Sequence, residues 1–153
     1  MKVFLVQHAE AKTEEEDPGR HLTEKGVQDA RNLGKVLAER KIIPSAFWHS
    51  GKTRSLETAK TMASFFDKDI PFEEKHGMAP NDHPGPVVDQ LQDGVMVVGH
   101  MPFLSKMVAR MISGHEKAQV ATFDCARCAC LSGDGKRWVI EWMLDPAFIK
   151  IES

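Results

Sequence analysis

Long apolar runs are absent from this sequence, and neither sign of charge dominates it. No run approaches the roughly 20 apolar residues of a membrane-spanning helix. Only four apolar residues follow Lys2 before Gln7 interrupts them, too few for a signal peptide. The formal net charge of -2 argues against a general nucleic-acid or lipid surface. We therefore expect a cytoplasmic protein without nucleic-acid or membrane partners, in which a few placed cations hold any bound anion.

Cysteine is also scarce, with three residues, Cys125, Cys128 and Cys130, in one short segment. An odd number in a single cluster is a poor disulfide framework, so we interpret them as reduced thiols. A zinc site would need a second Cys or His pair at suitable spacing, and the sequence offers none. We expect these thiols to pack in the interior, and we predict neither a metal site nor a cofactor.

Short apolar runs indicate where the strands lie. Residues 3–6, 46–48 and 95–98 are apolar at every position, a pattern typical of parallel strands covered on both faces. Two more strands are predicted near residues 119–131 and 138–142. The turn Gly133-Asp134-Gly135 between them predicts an antiparallel hairpin near the C-terminus.

Apolar residues recur at helical spacing between these strands. This spacing predicts helices over residues 22–42, 55–66, 87–91 and 103–113. Thr23 is the predicted N-cap of the first helix. Strands and helices alternate without a linker or repeat, which predicts a single domain over residues 1–153. The fold class is therefore α/β, a three-layer α/β/α sandwich with a mostly parallel central sheet.

Three of the predicted strands stop at polar residues: Gln7-His8, His49-Ser50 and Gly99-His100. The second of them leads within a few residues to Arg54. Ligands of α/β sheets bind beyond the carboxyl ends of the strands. If the three strands are parallel neighbours, His8, Arg54 and His100 converge on one pocket.

These residue types together indicate phosphoryl chemistry. A neutral imidazole is a good nucleophile toward phosphorus. A guanidinium presents a planar fork of donors to phosphate oxygens, and a second histidine can stabilise the transferring phosphoryl group. Each residue taken alone is more often structural, a packed histidine or a surface ion pair. The combination at three strand ends favours function.

Four segments also match a pattern in order along the chain: "QHAEA", "RHLTEKG", "HSGKTRSLETA" and "VMVVGHMPF". They resemble, in turn, the Arg-His-Gly signature, the Arg-x-Leu-Thr-x-x-Gly segment, the Ser-x-x-x-Arg-x-x-x-Thr-Ala helix start and the Val-Gly-His-x-Pro strand of the histidine phosphatase superfamily. Within that phosphoglycerate mutase-like superfamily, the chain is most similar to the small SixA-like phosphohistidine phosphatases.

The resemblance implies a role for each matching residue. His8 would be the nucleophile that becomes transiently phosphorylated, and Arg54 and His100 would be catalytic phosphate ligands. Larger relatives also supply a carboxylic acid that protonates the leaving oxygen, whereas SixA-like members tend to lack one. Glu73, Glu74 and Asp82 are the nearest candidates for such an acid here.

The sequence departs from the superfamily pattern beside the nucleophile. Gln7 stands where the signature has Arg, and Ala9 stands where it has Gly. Glutamine can donate an amide N–H to a phosphate oxygen but brings no charge. Arg20, in "RHLTEKG", is the predicted source of replacement charge, and Lys12 and Lys52 flank the two motifs.

We expect a metal-independent phosphatase that acts on a phosphohistidine-bearing protein of a phosphorelay or phosphotransfer system. One alternative is a phosphatase or mutase for small phosphate esters. Because of Gln7, a second alternative is a catalytically weakened module that binds phosphate or a phosphoprotein. The sequence leaves the oligomeric state open.

Overall fold

A computed structural model describes residues 1–149, and they form a mixed sheet of six strands. The strands are β1 (Lys2–Gln7), β2 (Ala46–His49), β3 (Phe72–Glu74), β4 (Val95–Gly99), β5 (Cys128–Gly133) and β6 (Trp138–Leu144). Their order across the sheet is β3-β2-β4-β1-β5-β6. The first four of these are parallel, whereas β5 pairs antiparallel with both β1 and β6. The predicted mostly parallel sheet with a closing hairpin is confirmed.

Four helices connect the strands: α1 (Glu24–Glu39), α2 (Thr53–Ala63), α3 (Gly85–Asp89) and α4 (Phe103–Ser113), followed by a 3-10 turn at Pro146–Phe148. Thr23 caps α1 as predicted, because its hydroxyl accepts the N–H of Gly26 at 3.0 Å. No helix within residues 1–149 is long and apolar enough to cross a membrane.

The central strands send alternate side chains into two cores, one on each face of the sheet. Val3 and Leu5 of β1 pack on the side of α3 and α4. Phe4 and Val6 pack on the side of α1 and α2. All four are buried, which explains why β1 is apolar at consecutive positions instead of alternating. The predicted α/β/α layering is confirmed.

Residues 119–127 do not form the strand that their composition predicts. The N–H of Arg127 donates to the Asp124 carbonyl at 3.0 Å, and Ala126 takes a φ of +60°. These two features close a turn, so β5 begins only at Cys128. The N–H of Ala126 then donates to the Gln7 carbonyl at 2.9 Å. The turn therefore lies against the end of β1, beside the predicted site.

Candidate active site

His8 and His100 leave neighbouring parallel strands at the same edge of the sheet. Gln7 of β1 lies opposite Gly99 of β4, and the N–H of His8 donates to the Gly99 carbonyl at 3.0 Å. The two imidazole rings have centroids 5.2 Å apart and planes inclined at 53°. Strand pairing thus brings together two histidines that lie far apart in the sequence.

The ring of His8 is held in one tautomer. Its Nδ1 lies 2.7 Å from the carbonyl oxygen of Ala9. A carbonyl can only accept a hydrogen bond, so Nδ1 carries the proton and Nε2 keeps its lone pair. Burial above all lowers the pKa of His8 to about 4, with the charges of Arg54 and Arg20 acting in the same direction and the bond to Ala9 opposing them. At neutral pH His8 is an uncharged imidazole with a free nucleophilic nitrogen.

His100 is more deeply buried, with 1% of its surface exposed. Its Nε2 lies 2.6 Å from the hydroxyl oxygen of Ser50, which follows β2. Burial lowers the pKa of His100 to about 3, and His8, Arg54, Lys52 and Arg20 act in the same direction. This second ring is also neutral at pH 7, and its Nδ1 is buried without a hydrogen-bond partner within residues 1–149.

Arg54 lies in the first turn of α2 and is half-buried. Burial lowers its pKa, as does the charge of Arg20, whereas Glu14 raises it. Its Nε is buried and has no hydrogen-bond partner in the described part of the chain. Its charge affects the pKa of both histidines, so the structure places all three predicted catalytic residues within electrostatic reach of one another.

Arg20 comes to the same site from a different segment. Residues 12–21 form a closed excursion in which the N–H of Lys12 donates to the His21 carbonyl at 2.9 Å. Arg20 has a φ of +48°, and its Nε donates to the Lys12 carbonyl at 3.0 Å. Its charge lowers the pKa of His8, Arg54 and His100 alike. The segment therefore holds a second guanidinium close enough to lower the pKa of all three predicted catalytic residues.

Gln7 is 93% buried, since 7% of its surface is exposed. Its backbone is fixed on both sides, because its N–H donates to the Arg127 carbonyl at 3.1 Å and its own carbonyl accepts from Ala126. Its side-chain Oε1 is buried and has no hydrogen-bond partner among the described residues. The position before the nucleophile is thus an enclosed, uncharged amide, where an arginine would have brought a positive charge.

The first half of the sequence matches a known protein family. The sequence model of the Histidine phosphatase superfamily (branch 1) matches residues 3–79, which is half of the chain and includes β1, α1 and α2. The chain belongs to the histidine phosphatase superfamily.

Solved histidine phosphatases share the fold over nearly the whole chain. The structure of the protein histidine phosphatase SixA complexed with tungstate superposes with a TM-score of 0.88 at 21% identity, covering 98% of this chain and 100% of that one. A protein assigned as the phosphohistidine phosphatase SixA of Agrobacterium tumefaciens has a TM-score of 0.77 at 25% identity, covering 95% and 97%.

A more distant neighbour is a protein of Escherichia coli str. K-12 assigned as an alpha-ribazole-5'-P phosphatase. It gives a TM-score of 0.70 at 16% identity, covering 99% of both chains. No curated protein matches this sequence significantly. These comparisons show the phosphoglycerate mutase-like fold and identify its structural neighbours as phosphatases.

Ala9 fits its position in the fold without strain. It is fully buried and does not have a positive φ, so its backbone does not require glycine. Its N–H donates to the hydroxyl of Thr58 at 2.9 Å, and that hydroxyl donates to the Arg54 carbonyl at 2.8 Å. α2 therefore fixes the backbone on which His8 is mounted.

The three candidate acids are each engaged outside the histidine pair. Glu73 lies 3.3 Å from Nζ of Lys75. Glu74 packs over Gly51 and raises the pKa of His49, which burial lowers. The carboxylate of Asp82 accepts the N–H of Ala79 at 2.8 Å. The structure does not bring any of the three beside His8.

The three cysteines divide between the core and the surface. Cys128 and Cys130 are buried in the core under α1 and α2, and burial raises the pKa of both thiols. Cys125 is exposed in the turn that precedes β5. No group of three His, Cys, Asp or Glu side chains in residues 1–149 has the geometry to hold a metal ion. The expected packing in the interior is confirmed for Cys128 and Cys130 and is wrong for Cys125, which the turn leaves exposed.

Two hydroxyls of the motif "HSGKTRSLETA", those of Ser50 and Thr58, have contacts that the sequence does not predict. Ser50 contacts His100, and Thr58 holds the residue after His8. Both flank Arg54 at intervals of four, which places Thr58 one helical turn further along the face of α2 that carries Arg54. That periodicity was visible in the sequence, but only the fold shows what each hydroxyl contacts.

Proposed function

We propose that this protein removes the phosphoryl group from phosphohistidine on a partner protein in two steps. In the first, the P–N bond to the partner's imidazole breaks and a new P–N bond forms to Nε2 of His8. The departing imidazole takes a proton from solvent. In the second step water attacks phospho-His8, releasing inorganic phosphate and restoring the neutral ring. We propose that this cycle takes place in the cytoplasm.

The observation that carries this proposal is the state of His8. Its Nδ1–H is occupied by the Ala9 carbonyl, and its pKa of about 4 leaves Nε2 unprotonated at pH 7. A nucleophile that must attack phosphorus needs that lone pair. Arg54 and His100, with Arg20 nearby, would neutralise and orient the phosphoryl oxygens during transfer. Gln7 would add an uncharged amide donor.

The contacts of the three candidate acids bear on the substrate. An alkyl phosphate expels a poor leaving group and benefits from general-acid catalysis, typically by 10²–10⁴-fold. An imidazole leaves readily once it is protonated, and solvent can supply that proton near neutral pH. Because Glu73, Glu74 and Asp82 are engaged elsewhere, the site favours phosphohistidine over small phosphate esters.

The test compares wild type with His8→Ala on a phosphohistidine-bearing domain, measuring inorganic phosphate released and phosphohistidine remaining. We expect turnover in wild type and none in His8→Ala, with His83→Ala, an exposed histidine paired with Glu116, as the matched control. Cleavage of alkyl phosphates without any cleavage of phosphohistidine would contradict the proposal.

Gln7 supports a second candidate, a module that binds phosphate or a phosphoprotein without turnover. Replacing a charged donor at a transferring phosphoryl group by a neutral one can cost roughly 3–4 kcal/mol of transition-state stabilisation. The variant Gln7→Arg separates the two candidates in the same assay. A silent wild type that Gln7→Arg restores to activity would identify a weakened enzyme that retains its pocket.

A further inference from the structure

Ser50 is the one side chain that reaches the ring of His100 with a hydrogen bond within residues 1–149. It lies between β2 and α2, and its hydroxyl oxygen is 2.6 Å from Nε2 of His100. Strand pairing fixes the distance, because β2 and β4 are adjacent and His49 lies opposite Val98. The contact between Ser50 and His100 therefore depends on the pairing of β2 with β4.

The hydroxyl of Ser50 has a second neighbour, which takes one of the two acceptor sites of its oxygen. The backbone N–H of Lys52 donates to the same oxygen at 3.3 Å. A serine hydroxyl has a single proton to give, and Nε2 of His100 is the acceptor that the described residues offer it. The Ser50 O–H therefore donates to Nε2. Since the buried ring is neutral, its own proton resides on Nδ1.

This assignment gives the pocket two buried donors of the same kind. Nδ1–H of His100 and Nε–H of Arg54 both lack a hydrogen-bond partner in the described part of the chain. Buried donors without partners are rare in native proteins, and each needs an explanation. Oxygens of a phosphoryl group would satisfy both. The opposite tautomer would instead turn a lone pair toward a phosphate oxygen and repel it.

We propose that Ser50 is a positioning residue that fixes His100 in the Nδ1–H tautomer, so that this neutral ring donates a hydrogen bond to the transferring phosphoryl group. The inference deepens the proposed function and rests on it for the identity of the group bound. It gives a role to the first serine of "HSGKTRSLETA", which the proposed roles of Arg54 and His100 leave without one.

The test uses three variants. Ser50→Ala removes the hydroxyl and Ser50→Thr retains it. The control Ser105→Ala deletes a hydroxyl of α4 whose one hydrogen bond within residues 1–149 is to the Pro102 carbonyl. Nitrogen-15 chemical shifts of the imidazole report the tautomer of His100 directly, without any substrate. Steady-state kinetics on a phosphohistidine-bearing domain report kcat and KM. Thermal unfolding of each variant confirms that it is folded.

We expect wild type, Ser50→Thr and Ser105→Ala to show a protonated Nδ1, and Ser50→Ala to show a mixture of tautomers. In Ser50→Ala we expect kcat to fall roughly 10- to 100-fold, as when groups that orient functional histidines are removed, with little change in KM. A folded Ser50→Ala with the wild-type nitrogen-15 pattern would overturn the inference, as would a protonated Nε2 in wild type.

The two hypotheses fail in different ways. If wild type releases no phosphate, the proposed function fails, and the nitrogen-15 spectra still accept or reject the tautomer that Ser50 is argued to impose. If wild type is active but Ser50→Ala retains full kcat, the positioning role fails while the proposed function stands. A wild-type kcat in Ser50→Thr together with a lowered kcat in Ser50→Ala supports both the proposed function and the positioning role.

Discussion

Two neutral histidines buried at the sheet edge should make the stability of this protein depend on pH. The pKa of His8 is lowered from 6.5 to about 4, mainly by burial. In the unfolded chain the same ring takes up a proton below about 6.5. Between these two values the unfolded state binds more protons than the folded state, so the free energy of unfolding rises with pH. Stability is therefore lost as the pH falls from 6.5 toward 4.

The magnitude follows from the same two values. One group that titrates only in the unfolded state contributes about 1.4 kcal/mol per pH unit. Over the window from 6.5 to about 4, His8 alone accounts for roughly 3 kcal/mol, an order-of-magnitude figure. That is a large fraction of the 5–15 kcal/mol typical of a single domain. His100, lowered to about 3, adds a contribution of the same sign.

The perturbation is His8→Asn, whose amide N–H can still donate to the Ala9 carbonyl but cannot titrate. Urea unfolding at several pH values between 4.5 and 7 gives the slope for wild type and variant. We expect the variant to have the shallower slope by up to about 1.4 kcal/mol per pH unit. Ser105→Ala, which changes no titrating group, should retain the wild-type slope. Equal slopes in wild type and His8→Asn would refute the reasoning.

Three further changes test the frame of the site. Thr58→Val leaves the Ala9 N–H without its acceptor and should lower the unfolding free energy by about 1–3 kcal/mol, measured with urea, whereas Thr58→Ser should not. Arg54→Lys replaces the planar fork by a point charge, and should weaken inorganic phosphate as an inhibitor roughly 10- to 100-fold; unchanged inhibition would contradict its assignment as a ligand. Gly26→Ala places a methyl group against the Glu10 carbonyl and should lower the free energy of unfolding, measured with urea, by about 1–3 kcal/mol. An unchanged free energy of unfolding would show that the backbone at Glu10 moves away without cost.

The sequence predicts the central strands well because their burial is extreme. Strands covered on both faces must be apolar at consecutive positions, and β1 and β4 carry that pattern without interruption. The edge strand β3 was missed for the opposite reason. Its three residues, Phe72 to Glu74, are all exposed, and two of them are acidic. A strand of three residues without a fully buried position leaves no periodic signal, and its pairing with β2 is what defines it.

The candidate site, like the strands, is predictable from the sequence only in part. That His8, Arg54 and His100 follow strand ends is a property of the sequence, whereas their proximity depends on β4 lying between β1 and β2, which no local pattern specifies. The tautomers of His8 and His100 are even harder to predict from the sequence. They depend on the carbonyl of Ala9 and the hydroxyl of Ser50, contacts that exist only once the chain is folded.

The acidic excursion before α1 holds Arg20 through backbone hydrogen bonds. Its run of like charges, Glu14-Glu15-Glu16-Asp17, predicts a solvated loop, and the three glutamates are exposed in the structure. In the fold, the Asp17 N–H donates to the Thr13 carbonyl at 2.9 Å, and the Asp17 carbonyl accepts the N–H of Arg20 at 2.8 Å. These turns hold Arg20 at a φ of +48°, which is costly for a side chain with a Cβ. With an uncharged amide at Gln7, the guanidinium groups of Arg54 and Arg20 are the positive charges that act on both histidines. If Arg20 compensates for Gln7, the conformation of residues 12–21 matters to catalysis as much as any strand end does.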